Sequence, residues 1–505
     1  MSDHSALGRL ETLADSPEIA ERLALIETAL PVGVRPRQLG VRTLFLGMLL
    51  ALSDGRPAHL TRIHQALLGL DKQTRRRLGV VVDWRQGGHT LTYRQTEYTF
   101  RLVARALSKE HPDGAPTETL QELCDALVEA SVPEELKEAS RSLAVDWTDV
   151  ESFSTRRTKP TGVYADREAS WGHRKGGGPG EKDELFFGYY LSLATMVADE
   201  GGAQVPELVR RMNLGSCDHD PVPPMVDVVV EMPKAGIFLG DVIADSGYAH
   251  RIPAHFALPL RAAGATLVID LHPSDRGTQG THAGAICHNG NLYCPSTPTA
   301  LFDMSPLARG ANQDEVATHD RRCEELSRYK LGRLTANDKD GYHRVACPAQ
   351  MGKIRCALRE PSMTLDYTRP EVLTPPEHPP TCCTQATITV PPAVNAKTAQ
   401  RHDYPGKAWR ASYARRSAAE RANARIKDPA TIDIARGWCR LMGLTPITLL
   451  VACALAARNL AITDAFNERQ ADNARRVKAG LAPRTRRRQR RTLTDLATAT
   501  ANAPP

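Results

Sequence analysis

A run of fifteen residues, 413–427 (YARRSAAERANARIK), constrains this chain most. It holds no Gly or Pro and is rich in Ala, Arg and Glu, the residues that lose least on entering a helix. Asp428-Pro429 closes the run, because a residue before proline avoids the α region, and Ser412 is positioned to cap its start. At about 100° per residue, Tyr413, Arg416, Glu420 and Lys427 fall on one narrow face. That face carries an aromatic hydroxyl, two cations and one carboxylate. A solvated face with an Arg416–Glu420 pair at i, i+4 is the simplest reading of such a helix.

Two upstream segments give the face a different meaning. Residues 142–145 are apolar, read as a strand and run into Asp146 (SLAVDWTDVESF), with Asp149 as the rival acid. Residues 240–244 read as a second strand and end in Asp245-Ser246-Gly247-Tyr248. A helix over 249–263 and a strand over 266–269 follow, a βαβ pattern. Strands that deliver carboxylates at their ends are how α/β sheets present acids at a rim. Taken alone, Asp245 also fits an N-cap.

Tyr-x2-Arg-x3-Glu-x6-Lys, matched without a gap by Tyr413, Arg416, Glu420 and Lys427, resembles the signature of one large branch of bacterial insertion-sequence DDE transposases. Asp245-x-Gly247-Tyr248 resembles the second-acid motif of the same enzymes. The resemblance spans roughly 142–460 and implies an α/β chain with a ribonuclease-H-like mixed-sheet catalytic core. A β-rich insertion interrupts that core, and an α-helical DNA-binding region precedes it. It implies Asp146, Asp245 and Glu420 as catalytic acids, with Asp146 bridging two metal ions, Asp245 on one and Glu420 on the other. Arg416, Lys427 and Tyr413 would hold phosphates of the transposon end. Three converging carboxylates repel one another unless divalent cations neutralise them, so two Mg²⁺ or Mn²⁺ ions are expected. The implied activity is cleavage of DNA strands at element ends and joining of 3′ ends to a target. The partners are terminal inverted repeats and target DNA, held by at least a dimer. A related nuclease, an inactive end-binding copy and a non-enzymatic DNA-binding regulator stay open as alternatives.

A chain of 505 residues exceeds one core. It divides into a helical region 1–110, an acidic helical connector 111–140 and a first core part 141–271. An insertion 272–405, the catalytic helix with core helices 406–470, and a basic disordered tail 471–505 complete it. Leu10, Leu13, Ile19, Leu23, Ile26 and Leu30 recur at helical spacing. Helices are expected over 41–52, 60–68, 72–78 and 93–108, the third bearing Arg75, Arg76 and Arg77 after a Gly69-Leu70-Asp71 turn. That outline fits a helix-turn-helix for DNA ends and equally an ordinary helical hairpin. A loop opens at Gln86-Gly87-Gly88 and another at 176–180, and strands are expected over 185–197 and 226–230.

Charge supports a polyanion partner. Residues 35–109 carry fourteen Lys and Arg against four Asp and Glu, and 475–491 carry nine cations and no acid, which leaves the remainder net acidic. Basic tails are also often merely solvated. The N-terminus shows no signal peptide, and the most apolar stretches, 44–52 and 447–457, are short for a membrane span. A cytoplasmic, nucleoid-associated protein without a membrane partner is expected. Of eleven cysteines, seven lie in the insertion. Zinc on Cys287, Cys294, Cys347 and Cys356 would need C-x6-C and C-x8-C spacings unlike ordinary zinc ribbons, so free buried thiols are favoured over zinc. Trp409 is expected in the core, with stacking on an extruded base as its alternative.

Overall fold

The computed structural model describes residues 6–31, 37–55, 57–81, 90–108, 118–154, 164–174, 183–308 and 310–484. The expected loops at Gln86–Gly88 and 176–180 lie outside these residues. The N-terminal helices α1 (Ala6–Ala14), α2 (Pro17–Ala29), α3 (Val41–Ser53), α4 (Leu60–Leu68) and α6 (Tyr93–Leu107) form where apolar residues recur every three to four positions, and the short polar α5 (Lys72–Arg77) starts on the Asp71 cap. The six apolar residues expected to line the first two helices are all buried. Gly47 lets α3 approach α4, since a Cβ there would meet Leu67 Cγ at 2.9 Å. Next come α7 (Glu118–Ala130) and α8 (Glu134–Ala139).

The central sheet begins with β1 (Ser142–Glu151), β2 (Ser170–Arg174), β3 (Glu184–Val197) and β4 (Val209–Ser216). The chain then forms α9 (Val222–Val230), β5 (Asp241–Ala244), α10 (Ser246–Ala249), α11 (Ala257–Ala262) and β6 (Thr266–Ile269). Strand β1 pairs antiparallel with β3 and parallel with β5, and β5 is parallel to β6. The far edge of β3 is shared by β2 and β4, both antiparallel to it. The spatial order is therefore β4-β3-β1-β5-β6, with β2 beside the first half of β3. Gly188 permits the β1–β3 approach, because a Cβ there would sit 2.1 Å from the Val150 carbonyl oxygen.

Helices cover both sheet faces, which makes the molecule a mixed α/β structure. One core joins the N-terminal helices, α7 and the final helix α16 (Leu444–Lys478) to Val150, Tyr189, Leu191 and Leu214 of the sheet. The other packs α9 and α11 against Leu143, Val145, Val242 and Ala244. By length and composition α16 is apolar enough to cross a membrane, and most of its apolar part is buried in this core. It runs on through Lys478, so the first residues of the basic C-terminal stretch are helical.

Several sequence expectations are corrected. The valine-rich 226–230 segment lies in helix α9, not a strand: Pro223 and Pro224 suit a first helical turn, and Val222, Met225, Val226 and Val229 are buried at helical spacing. The helix expected over 249–263 breaks into α10, a 3-10 turn (Pro253–His255) and α11. Asp146 lies within β1 rather than at its end, since the strand continues to Glu151. The acidic 111–140 stretch also does more than connect. Glu129 of α7 accepts from both Nε and Nη2 of Arg210, which is only 1% exposed, and from Arg211 Nη1 at 2.7 Å.

The insertion is built of short strands: β7 (Thr278–His282), β8 (Ala285–His288), β9 (Asn291–Tyr293), β10 (Gly332–Arg333), β11 (His343–Ala346), β12 (Arg355–Cys356), β13 (Glu371–Val372) and β14 (Ile388–Val390). A helix α12 (Gln313–Arg328) and a single turn α13 (Thr381–Thr384) lie among them. Asn289 and Gly290, both at positive φ, form the expected hairpin turn between β8 and β9. After it come α14 (Lys407–Tyr413), a 3-10 turn (Ala414–Arg416) and α15 (Ser417–Ile426).

A candidate active site of three converging carboxylates

Strand register brings the first two acids together. Leu143 and Ala144 of β1 lie beside Val242 and Ile243 of β5, and the same register continued sets Asp146 beside Asp245. Asp245 caps α10, accepting from the Gly247 and Tyr248 N–H groups, so the N-cap reading and the site reading both hold for it. Gly247 allows this cap to sit against β1, because a Cβ there would meet Trp147 at 2.6 Å.

The third acid arrives on α15. Its buried Ala418, Ala419 and Ala422 are small enough to let the helix lie close against β1 and β3. The helix expected as one piece over 413–427 is split by the 3-10 turn, and Ser412 is a buried residue of α14 rather than an N-cap. The split sends adjacent arginines to different partners. Arg415 Nη2 reaches Asp241 Oδ2 at 2.6 Å, and Arg416 turns to the acids.

Arg416 is the hub. Its Nη2 lies 3.4 Å from Asp146 Oδ2 and 3.2 Å from Asp245 Oδ2, and its Nη1 lies 2.5 Å from Glu420 Oε1. The three carboxylates named from sequence therefore meet around one guanidinium. Burial raises Asp146 to about 6, with Arg416 opposing and the charges of Asp245 and Glu420 adding to the rise. Glu420 is the most open of the three, with 55% of its side chain exposed against 14% for Asp146.

The other signature residues divide. Tyr413 stacks on Trp409 with ring centroids 4.8 Å apart, and burial pushes its hydroxyl pKa up. Trp409 is a core residue whose indole donates to the Ile269 carbonyl at 3.0 Å, which anchors α14 to the end of β6. Lys427 does not join the cluster. Its Nζ sits 2.5 Å from Asp149 Oδ1, and Arg174 binds the same carboxylate. Burial pushes Asp149 up, but Arg174 and Lys427 together hold it below the usual carboxylate range. The rival acid is thus occupied by two cations.

Asn423 was missed from sequence. Its Nδ2 donates to Asp146 Oδ2 at 3.1 Å, and its only signal was the three-residue spacing from Glu420. A second group, His250, His272 and Asp275, holds donor atoms within 4.8 Å of one another, although Asp275 is already paired with Lys397 at 2.7 Å. In α5, Arg76 is exposed, Arg75 is half-buried, and Arg77 pairs with Glu11 at 2.6 Å.

Three acids and an amide offer oxygen donors on rigid elements, the donor chemistry that suits Mg²⁺ or Mn²⁺. Arg416 already shows that a cation at their meeting point is favourable. No protein-family model matches the chain, and a search of curated proteins finds no match either.

Proposed function

We propose that this chain is a DDE-type DNA transposase that cuts DNA at the ends of its element and joins the 3′ ends to target DNA. The observation that carries the reading is the convergence of Asp146, Asp245 and Glu420 on Arg416 from three elements far apart in sequence. The strand order β4-β3-β1-β5-β6, antiparallel on one side of β1 and parallel on the other, supports a ribonuclease-H-like core. So does an insertion lying between the last parallel strand and the helix that carries the third acid.

Asp146, Asp245 and Glu420 would hold the divalent Mg²⁺ or Mn²⁺ ions. When bound, such ions acidify a water or 3′-hydroxyl nucleophile and stabilise the leaving 3′-oxygen. Asp146 must be ionised for this, and Asn423 keeps its Oδ2 aimed at the cluster. Glu420, the open member, faces arriving DNA. Arg416 would be available to a phosphate if divalent ions took its place among the acids, and Tyr413, stacked on Trp409, and Lys427, paired with Asp149, lie on the same segment and would contact the flanking backbone. Arg75, Arg76 and Arg77 of α5 lie in the basic region assigned to the DNA end, and two copies of the chain would hold two ends.

The test is Glu420→Gln. DNA-end binding stays nearly unchanged and strand cleavage in Mg²⁺ disappears. A variant that still nicks an element end contradicts the reading. A regulator without catalytic function would show no metal-dependent nicking in the parent chain.

A further inference from the structure

The sheet rim that presents Asp245 also carries two histidines that the carboxylate cluster does not use. Strands β5 and β6 are parallel, with Ala244 beside Ile269, so the chain leaves both at the same edge. Beyond β5 it makes α10 and reaches His250, which ends that helix. Beyond β6 it reaches His272, which caps a single 3-10 turn (Pro273–Asp275) at the entrance to the insertion. The two imidazoles stack with ring centroids 3.8 Å apart. Asp275 stands beside them: one donor atom from each of the three residues lies within 4.8 Å of the others, and His250 Nδ1 is 3.8 Å from Asp275 Oδ2.

Stacked surface histidines are often only a packing pair. Here, however, the backbone holds all three donors in place. The Asp275 N–H donates to the His272 carbonyl at 2.8 Å, which puts two of the residues on one turn. Gln279 ties that turn from outside through the Ser274 and Arg276 carbonyls. The His250 N–H donates to the Ser246 carbonyl, and Arg251 beside it is clamped by Asp220 and the Gly247 carbonyl. Ser274 Oγ lies 2.7 Å from His272 Nδ1, the kind of outer contact that orients a ligating imidazole. Desolvation and the neighbouring His250 hold the His272 pKa below its ordinary 6.5, and the neutral ring is the ligating form. Tetrahedral bonds of about 2.0–2.1 Å set donors roughly 3.4 Å apart, so closing on an ion asks for side-chain shifts on the order of 1 Å. Asp275 Oδ2 is buried without a hydrogen-bond partner, and the Lys397 ammonium sits 2.7 Å from it. A cation is thus already favoured at this carboxylate, and the flexible Lys397 stem can yield its place to another.

We propose that His250, His272 and Asp275 form a Zn²⁺ site that pins the end of α10 to the entrance of the insertion. Two imidazoles and one carboxylate suit Zn²⁺ with water in the fourth position, and exposed His250 leaves one side open to solvent. Mg²⁺ and Mn²⁺ favour oxygen donors and bind such a site weakly, so it loads separately from the carboxylate cluster. The site uses none of Asp146, Asp245 and Glu420 and does not depend on the transposase reading. Its consequence is mechanical. Asp245 caps the start of the single-turn α10 and His250 ends it, so an ion on His250 steadies the turn that orients Asp245.

The probe is Co²⁺, titrated into the full chain in excess Mg²⁺, which keeps the carboxylate cluster filled. One equivalent should bind with visible ligand-field bands and without the near-ultraviolet charge-transfer band of thiolate ligands, and Zn²⁺ should displace it. His250 is exposed and His272 half-buried, so His250→Gln and His272→Gln should fold, and each should weaken binding by about tenfold or more. Asp146→Asn should leave the affinity unchanged. Lys397→Gln removes the competing ammonium and should tighten binding, which a stacked pair without an ion would not do. Failure to bind in excess Mg²⁺, a thiolate band, or parent-like affinity in both histidine variants overturns the site. Loss of binding in Asp146→Asn would place the ion in the carboxylate cluster and overturn it equally.

Discussion

Asp146 shows how one residue carries both a cost and a use. Burial and two neighbouring carboxylates raise it to about 6, against an ordinary 3.8. For a carboxyl raised in the folded state, the stabilising contribution is complete below the unfolded value and is lost as pH rises through the folded one. Metal-free protein should therefore lose stability between about pH 4 and pH 6 on account of this group. Asp146→Asn removes the penalty. It is expected to raise the thermal midpoint at pH 8, by the equivalent of on the order of 1–3 kcal/mol, and to change it much less at pH 4. Scanning calorimetry of both proteins without divalent ions checks this, and an equal shift at both pH values would show that Asp146 is not strained by charge. Glu420 and Asp245 stand out in the sequence by the signature and motif they resemble, and Asp146 by the apolar run before it, although the strand continues past Asp146. Asn423 does not: its three-residue spacing from Glu420 is shared by many helical positions, and its meaning comes from facing Asp146 on β1. Lys427 matched a spacing, yet its ion pair with Asp149 depends on a strand nearly three hundred residues earlier.

At the scale of elements, hydrophobic periodicity located most helices and the long strand β3 closely. The failures share a cause. In α9 the β-branched valines suggested a strand, while the burial of a whole helical face against β4 and the sheet decided otherwise. The 414–416 turn went unforeseen because propensity alone favours an unbroken helix, and the break serves two buried ion pairs that propensity does not register. The same holds for α7, where acidity suggested a connector although Glu129 faces Arg210 and Arg211. Glu129→Ala would leave the buried Arg210 guanidinium unpaired and Arg211 with only Asp125, 4.0 Å away, as an acidic partner. It should cost about 3–5 kcal/mol in urea unfolding, whereas an exposed acid such as Glu134 should change stability by under about 1 kcal/mol. Similar costs at the two positions would show that the buried network is not a unit.

For the whole molecule, one core runs from the N-terminal helices through the sheet to α16, so the basic N-terminal region is mechanically continuous with the face behind the carboxylates. Charge asymmetry was readable from composition; the shared core was not, because it depends on which helix faces meet. If Arg75, Arg76 and Arg77 grip a DNA end, replacing all three by Ala should weaken binding and flatten its salt dependence by up to about three phosphate contacts. An unchanged slope would place the DNA elsewhere. The most direct measurement is a count of bound Mn²⁺ by electron paramagnetic resonance, on the full chain with DNA at pH 8. The parent chain should hold two ions per molecule and Asp146→Asn fewer than one. A parent that binds none, or a variant that binds as many, would contradict the divalent-ion site on which the proposed chemistry depends.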